Sequence, residues 1–424
     1  MGFLSSPRRA RQSPKRRAVI TGIGAVSPIG IGAEEYFSNL RSGASGVDRI
    51  TLFDTTEFPF KLAAEVKDWE ARASEALKRR DFEVLSRAGQ FALVAAREAF
   101  ADSGLRDYDP YRLAVLLGMG LEDHGGQYAA IIKNIEGLHK YKQGDPRLAL
   151  KTMIYGPAAQ LALRFGAKGD VQVISSVCAS AFASLGRAKS MIENNEADIV
   201  LAGGTEAPID ILTLTALLDA DMVTREIDPA KAVRPFDLDR NIPVMGEGSG
   251  IFIVEAEAHA KERRAPKIYC EIAEYRSAQE DTNIFFTAED TGRDMARVLK
   301  MTLGERKVDI INAHGPGHRT IDEIEYHALV ELFGPKKAQT IPVVSDKDST
   351  GSGMAAAGAL QLVAGAKMVF HQESIATSNY RTPDPQIPLN VWKRARKVRM
   401  KHGVLCNVRA LGGLNAAVLL KRFK

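Results

Sequence analysis

The sequence predicts a layered α/β protein, and three observations carry that prediction. Short apolar runs of strand length alternate with longer runs that have helical apolar spacing, over most of the chain. A faint internal repeat aligns AFASLGRAKSMIENNEADIVLA at 181–202 with ALQLVAGAKMVFHQESIATS at 359–378. Both have small residues, then Ala-Lys, an apolar pair, a polar turn and a strand-like run. Finally, 424 residues with 45% hydrophobic and 26% charged content suffice for a large core or two fused halves.

Taken in order, strands are expected near 18–26, 112–118, 171–176, 198–203 and 250–256 in the first half. In the second they fall near 267–278, 308–313, 341–345, 403–410 and 416–422. Helices fill much of 79–104, 179–194, 322–333 and 354–371. HAKERRAPK, around 258–267, is charged, holds a proline and resembles a linker, so the halves divide as 18–262 and 263–424. Segments 120–160 and 205–245 interrupt the repeat. Residues 1–17 hold six basic residues and no acid, and read as a disordered leader rather than a transit peptide, since Pro7 and Pro14 spoil an amphipathic helix. Subtracting those six charges from the net +5 leaves −1 for the body, so the positive balance gives no reason to expect a nucleic-acid surface.

Other classes are excluded in turn. No run approaches the ~18 uninterrupted apolar residues of a membrane span. Cys178, Cys270 and Cys406 lie far apart, which fits neither a disulfide framework nor a zinc site and suits a reducing cytoplasm. Gly22-Ile23-Gly24 follows a strand as a dinucleotide turn would, but Ser27 stands where the third glycine belongs and Pro28 opposes a following helix.

Cys178 is the most informative residue. It lies in SSVCASAFASLGRAKSMI, where an apolar strand ends and a helix rich in small residues begins. Backbone N–H groups and a helix dipole aimed at a thiol lower its pKa and favour a thiolate nucleophile. A small buried core residue is the alternative, and it is the better reading for Cys270 and Cys406, which sit inside apolar runs.

Five further windows bear on the choice: VDIINAHG at 308–315, IPVVSDKDSTGSG at 341–353, GVLCNVRALGGLN at 403–415, RPFDLDRNIPVMGEGSG at 234–250 and LAGGTEAPI at 201–209. With Cys178 they resemble the β-ketoacyl-ACP synthase family of the thiolase superfamily, nearest the type II elongating ketosynthases and their polyketide relatives. The resemblance covers roughly residues 18–422. It implies a thiolase-like fold: two pseudo-symmetric βαβαβαββ halves in a five-layered αβαβα sandwich, with the two interrupting segments as a cap that shapes the acyl pocket and dimer surface. It also implies that Cys178 holds an acyl group as a thioester. The N–H groups of Cys178 and Leu411 would form the oxyanion hole, His314 would be the first of two catalytic histidines, and Lys347 would pair with Glu325 to orient the site.

Three departures set this chain apart from that pattern. Ser352 stands where the second histidine belongs, and serine is shorter and carries no charge near neutral pH. Pro316, Gly317 and His318 replace the hydroxyl residues that contact the pantetheine arm; His318 is an arm contact or a loop residue rather than a substitute catalyst. Arg409-Ala410-Leu411-Gly412-Gly413 replaces an aromatic gating turn, leaving a smaller gate at Leu411 and a charge at Arg409. The resemblance therefore implies an acyltransferase in specialised fatty-acid or polyketide assembly, condensing an acyl chain on Cys178 with malonyl-carrier. Its partners would be an acyl carrier protein and a second subunit, as a homodimer or as a heterodimer with a ketosynthase-like chain. No cofactor or metal is expected. A non-elongating acyltransferase and a chain-length-factor-like subunit are the alternatives, and the retained Cys178 argues against the second.

Overall fold

The computed structural model describes residues 16–121, 151–280 and 291–424. Ten principal strands are numbered in chain order. The first five are β1 (Ala18–Ser27), β2 (Leu113–Gly118), β3 (Val171–Ile174), β4 (Ile199–Glu206) and β5 (Gly248–Ala256). The second five are β6 (Cys270–Gln279), β7 (Ile310–Asn312), β8 (Pro342–Val344), β9 (Val404–Arg409) and β10 (Leu414–Lys421). The first set lies in the order β3-β2-β4-β5-β1 and the second in the order β8-β7-β9-β10-β6. Strand directions match as well. β2 runs parallel to β3 and β4, and β7 parallel to β8 and β9, while the remaining neighbours in each half are antiparallel. Two β1–β6 residue pairs, Val19 with Glu271 and Ile20 with Cys270, join the halves.

Six helices complete the layers: α1 (Arg87–Ser103), α2 (Gly156–Phe165), α3 (Ser180–Glu193), α4 (Arg293–Leu303), α5 (Arg319–Phe333) and α6 (Ala355–His371). α3 and α6 touch each other and strands of both halves, so they form the middle layer. α1 and α2 cover the outer face of the first half; α4 packs on β6 and β10 of the second half, with α5 against it. This is the five-layered sandwich with pseudo-symmetric halves. α6 is buried along nearly its whole length because it lies between two apolar sheet faces, which explains its lack of a polar stripe.

The internal repeat is right about the helices and wrong about the strand after the second one. α3 and α6 are equivalent in topology, but residues 375–378 form no strand. The counterpart of β4 is β9, at 404–409. The apolar run at 375–377 misled because those residues are buried without entering the sheet. The expected helix over 79–104 is two, Arg79–Val84 and α1, separated at Ser86, whose Oγ accepts the Gly89 N–H at 3.2 Å. Short elements at Ala33–Ser42 and Ile211–Asp219 were not expected.

Gly22 and Gly24 serve packing. They lie inside β1, where a Cβ at Gly24 would meet the Ala95 carbonyl oxygen of α1 at 1.9 Å and one at Gly22 would meet the Ala99 oxygen at 2.1 Å. Only glycine lets the helix backbone come this close to the strand. The leader expectation needs correction at its end. Arg16 pairs with Asp198, and Arg17 pairs with Glu271 and, at 3.1 Å, with Glu257. Residues 1–15 lie outside the described residues, as does 122–150 of the expected cap. Among the described residues no helix is long and apolar enough to cross a membrane.

Candidate active site

β3 ends at Ile174, and the chain turns sharply before α3. Val177 takes a φ of 50°, a left-handed conformation that is strained for a β-branched residue and costs on the order of 1–3 kcal/mol. Cys178 follows in a single 3₁₀ turn, Val177–Ala179. The surroundings hold that turn firmly. Ser180 Oγ accepts the Ser176 N–H at 2.8 Å and donates to the Val177 carbonyl at 2.7 Å, while Ser184 Oγ donates to the Leu116 carbonyl at 2.6 Å. The small residues of the 178–186 window are thus there to pin α3 and admit α6, where a Cβ on Gly358 would meet the Cys178 carbonyl oxygen at 2.4 Å.

Two backbone N–H groups, its own and that of Leu411, lie close enough to the sulfur to favour its charged form, and they are the two that the resemblance assigns to an oxyanion hole. The expected drop in thiol pKa is not what the surroundings produce. Burial pushes Cys178 up to about 11; Lys347 and the two N–H groups oppose this, and Glu206 adds to it. Desolvation outweighs the local dipoles because apolar side chains pack around the half-buried residue. Cys270 and Cys406 are fully buried core residues pushed higher still by burial.

His314 follows β7 and is 5% exposed. Its backbone N–H and that of Gly315 donate to the two oxygens of Glu325, at 2.9 and 2.8 Å, and Asn407 Nδ2 donates to the same carboxylate at 2.6 Å. Glu325 therefore fixes the His314 turn. Burial, then Lys347 and Arg409, hold the imidazole well below its ordinary pKa, so the ring is neutral. Lys347 does not pair with Glu325 as expected. Its ammonium bonds its own neighbour Asp346 at 2.5 Å, and Asp346 also takes the Tyr36 hydroxyl at 2.8 Å. Lys347 reaches Glu325 only through space, where its charge offsets part of the burial that raises that carboxyl.

Ser352 follows Gly351, whose φ of 67° favours glycine and where a Cβ would meet the Val244 oxygen at 2.9 Å. The Ser352 N–H donates to the Val244 carbonyl at 2.7 Å, and the residue is 8% exposed. Among the described residues, Ser352 Oγ and His314 Nδ1 are buried without a hydrogen-bond partner. Both residues line one cavity of about 30 Å³ with Cys178, Pro316, Arg409 and Leu411. Leu217, Met222 and Met245, from the expected cap segment, supply much of its apolar wall.

The remaining gate residues separate. Gly412 and Gly413, at φ of 84° and 87°, make the turn behind Leu411 and do not line the cavity. His318 lies off it too. It caps α5, with Nδ1 accepting the Thr320 and Ile321 N–H groups at 3.2 and 3.4 Å, and burial pushes it down to about 4. Arg409 is no loose charge: its guanidinium pairs with buried Glu280.

Sequence reasoning missed Glu206, Asp346, Asn407 and Glu280. Glu206 ends β4, accepts the Gly120 N–H at 2.6 Å and that of Ala355 at 3.4 Å, and burial pushes it up to about 8. An acid closing an otherwise uncharged, buried strand was the available signal. Among the described residues no cluster of His, Cys, Asp and Glu is placed to hold a metal ion.

A thiolase-like double α/β unit with a cysteine on a strained strand-to-helix turn, two N–H groups near its sulfur and a neutral histidine lining the same cavity is the arrangement expected of the condensing-enzyme class. Sequence models of the β-ketoacyl synthase N-terminal and C-terminal domains match residues 15–260 and 269–381. The chain belongs to the β-ketoacyl synthase family, as a type II ketosynthase-like member. It is 35% identical to a putative polyketide β-ketoacyl synthase 1 of Streptomyces cyaneus, covering 96% of this chain and 98% of that one. It is 33% identical to 3-oxoacyl-[acyl-carrier-protein] synthase 2 of Coxiella burnetii, covering 96% and 99%. Among solved structures, the ishigamide ketosynthase/chain length factor superposes with a TM-score of 0.87 at 29% identity, covering 97% of this chain and all of that one. A type II polyketide synthase acyl-carrier protein in complex with its ketosynthase, bound to a hexaketide, gives the same values.

Proposed function

We propose that this protein is a 3-oxoacyl-carrier synthase-type acyltransferase whose acyl acceptor is Cys178. The carrying observation is that Cys178, on its strained turn, lines one cavity with His314 and Leu411, with the Cys178 and Leu411 N–H groups near its sulfur and the His314 ring neutral. The thiolate attacks the thioester carbon of an acyl-carrier, and the oxygen that gains charge accepts those two N–H bonds. The carrier sulfur leaves, takes up the proton lost from Cys178, and acyl-Cys178 remains. In condensation, malonyl-carrier loses CO2 and the electron pair of the broken C–C bond becomes an enolate. Its carbon attacks the acyl carbon and Cys178 leaves as thiolate. His314 donates to the enolate oxygen, with Ser352 as the second, weaker donor. Glu325 and Lys347 position rather than react.

Substrates arrive on the phosphopantetheine arm of an acyl carrier protein, so no separate cofactor is needed. The halves are 18–262 and 263–424, and the working unit is a homodimer or a heterodimer with a ketosynthase-like subunit. The relatives support this reading: one solved complex joins a ketosynthase to an acyl-carrier protein and another is named for a ketosynthase and a chain length factor. Ser352 in the second-histidine position favours one further reading, an acyltransferase that loads Cys178 without decarboxylation. Intact-mass measurement after incubation with acyl-carrier, with and without malonyl-carrier, decides. An adduct plus ketoacyl product supports the synthase, an adduct alone the transferase, and no adduct on Cys178 rejects both.

A further inference from the structure

Beyond helping to keep His314 neutral, Arg409 takes no step in the chemistry above, yet it lines the cavity with Cys178. It closes β9 and is 4% exposed. Its hydrogen bonding among the described residues is a single contact, from Nη2 to Glu280. Glu280 is itself held, since its other oxygen takes Asn415 Nδ2 at 2.7 Å and its backbone N–H bonds the Gly413 carbonyl at 2.9 Å. A guanidinium has five N–H donors, and Arg409 Nε is buried with no partner. Ser352 Oγ shares that condition in the same cavity. Donors left unpaired in a wall of methionine and aliphatic side chains cost free energy unless a ligand brings the acceptor.

The charge balance says which acceptor fits. Glu280 already neutralises Arg409, and a second carboxylate would leave an excess negative charge among largely apolar side chains, with a desolvation cost. A carbonyl or hydroxyl oxygen meets the same donors without that cost. We propose that Arg409 reads the substrate: its free guanidinium N–H groups take a neutral oxygen carried by the thioester, so the site selects against substrates that lack one. This rests on Cys178 as acyl acceptor. Two sources share the chemistry: an oxygen on the acyl chain near the thioester, or the amide carbonyl of the carrier arm.

The test uses four thioesters of equal acyl length, saturated or 3-oxo, each on pantetheine or on a simple alkanethiol without amides. Loading of Cys178 is followed by intact mass in the parent and in Arg409→Met/Glu280→Gln, which removes both charges together. The parent should prefer the oxygen-bearing substrate by about 10- to 100-fold, and the double variant should lose that preference. Loss in the saturated against 3-oxo comparison identifies the acyl oxygen; loss in the pantetheine against alkanethiol comparison identifies the arm. Parent-like ratios in both comparisons would overturn the proposal. Calorimetric binding of the matching non-transferable thioethers gives the same comparison without acyl transfer, so failure of Cys178 to load would count against the acceptor reading and leave Arg409 still decided. Should the double variant not fold, Arg409→Lys keeps the partner for Glu280 but not the planar fork, and should weaken the preference in the same comparison.

Discussion

Cys178 shows how burial and local dipoles compete at one atom. Two N–H groups and Lys347 favour the thiolate, and desolvation overrides them to leave a thiol near 11. The sign follows directly: below that value the reactive thiolate fraction rises tenfold per pH unit. Alkylation of Cys178 by iodoacetamide should therefore climb about tenfold per unit from pH 7 to 10, ahead of Cys270 and Cys406, as read by peptide mass spectrometry. A plateau by pH 8, or faster labelling of either other cysteine, would contradict the assignment. Ser352 makes a second prediction. Loading needs the thiolate and the two N–H groups, so Ser352→Ala should leave acylation of Cys178 within a few-fold while ketoacyl product falls by about tenfold, the worth of one hydrogen bond. Ser352→His should speed CO2 release from malonyl-carrier. Abolished acylation in a folded Ser352→Ala protein would mean that serine activates Cys178.

Among the elements, the principal strands were legible because most are bounded apolar runs, β6 with its mixed CEIAEYRSAQ being the exception, and β1 even showed the glycines that let α1 approach. The site was legible where one residue ends one element: Cys178 after β3, His314 after β7, Leu411 after β9. What stayed hidden is pairing across space. Glu280 and Arg409 are 129 positions apart. Asp346 displaced Glu325 as the partner of Lys347 although it is the adjacent residue, because a short helical turn folds the lysine back. The direction of the thiol shift also depends on apolar side chains that other elements pack around Cys178, which no local window records. The chain's entry into β1 carries a third prediction. Arg16 and Arg17 tie that strand to Asp198, Glu257 and Glu271 on half-exposed surface, where each pair contributes about 0.2–1 kcal/mol. Removing 1–15 should leave the melting temperature unchanged, and removing 1–17 should lower it by a few degrees. Equal melting of both truncations with the full chain would show that the pairs contribute nothing.

Across the whole molecule the pseudo-symmetry is broken at the sheet ends, and the break points to assembly. β8, at the end of the second half, has its outer edge covered by a short strand, Asn390–Val391, paired with Pro342 and Val343. Its counterpart β3 ends the first half with no strand beyond it among the described residues. Val171, Val173 and Ile174 there are neither fully buried nor fully exposed, an apolar edge that offers open backbone N–H and C=O groups to another chain. A twofold axis beside β3 would pair two such strands antiparallel and bury those side chains, which a closed dimer does without leaving a further edge. We therefore expect light scattering at micromolar concentration to give twice the mass of one chain. Val173→Pro removes an N–H donor from the open edge of β3, since the ladder with β2 uses residues 170, 172 and 174, and should shift the mass toward the monomer. A monomeric parent protein would reject pairing of like chains. If the parent became dimeric only on co-expression with a ketosynthase-like subunit, the edge would be a heterodimer surface, with the same residues facing a different strand.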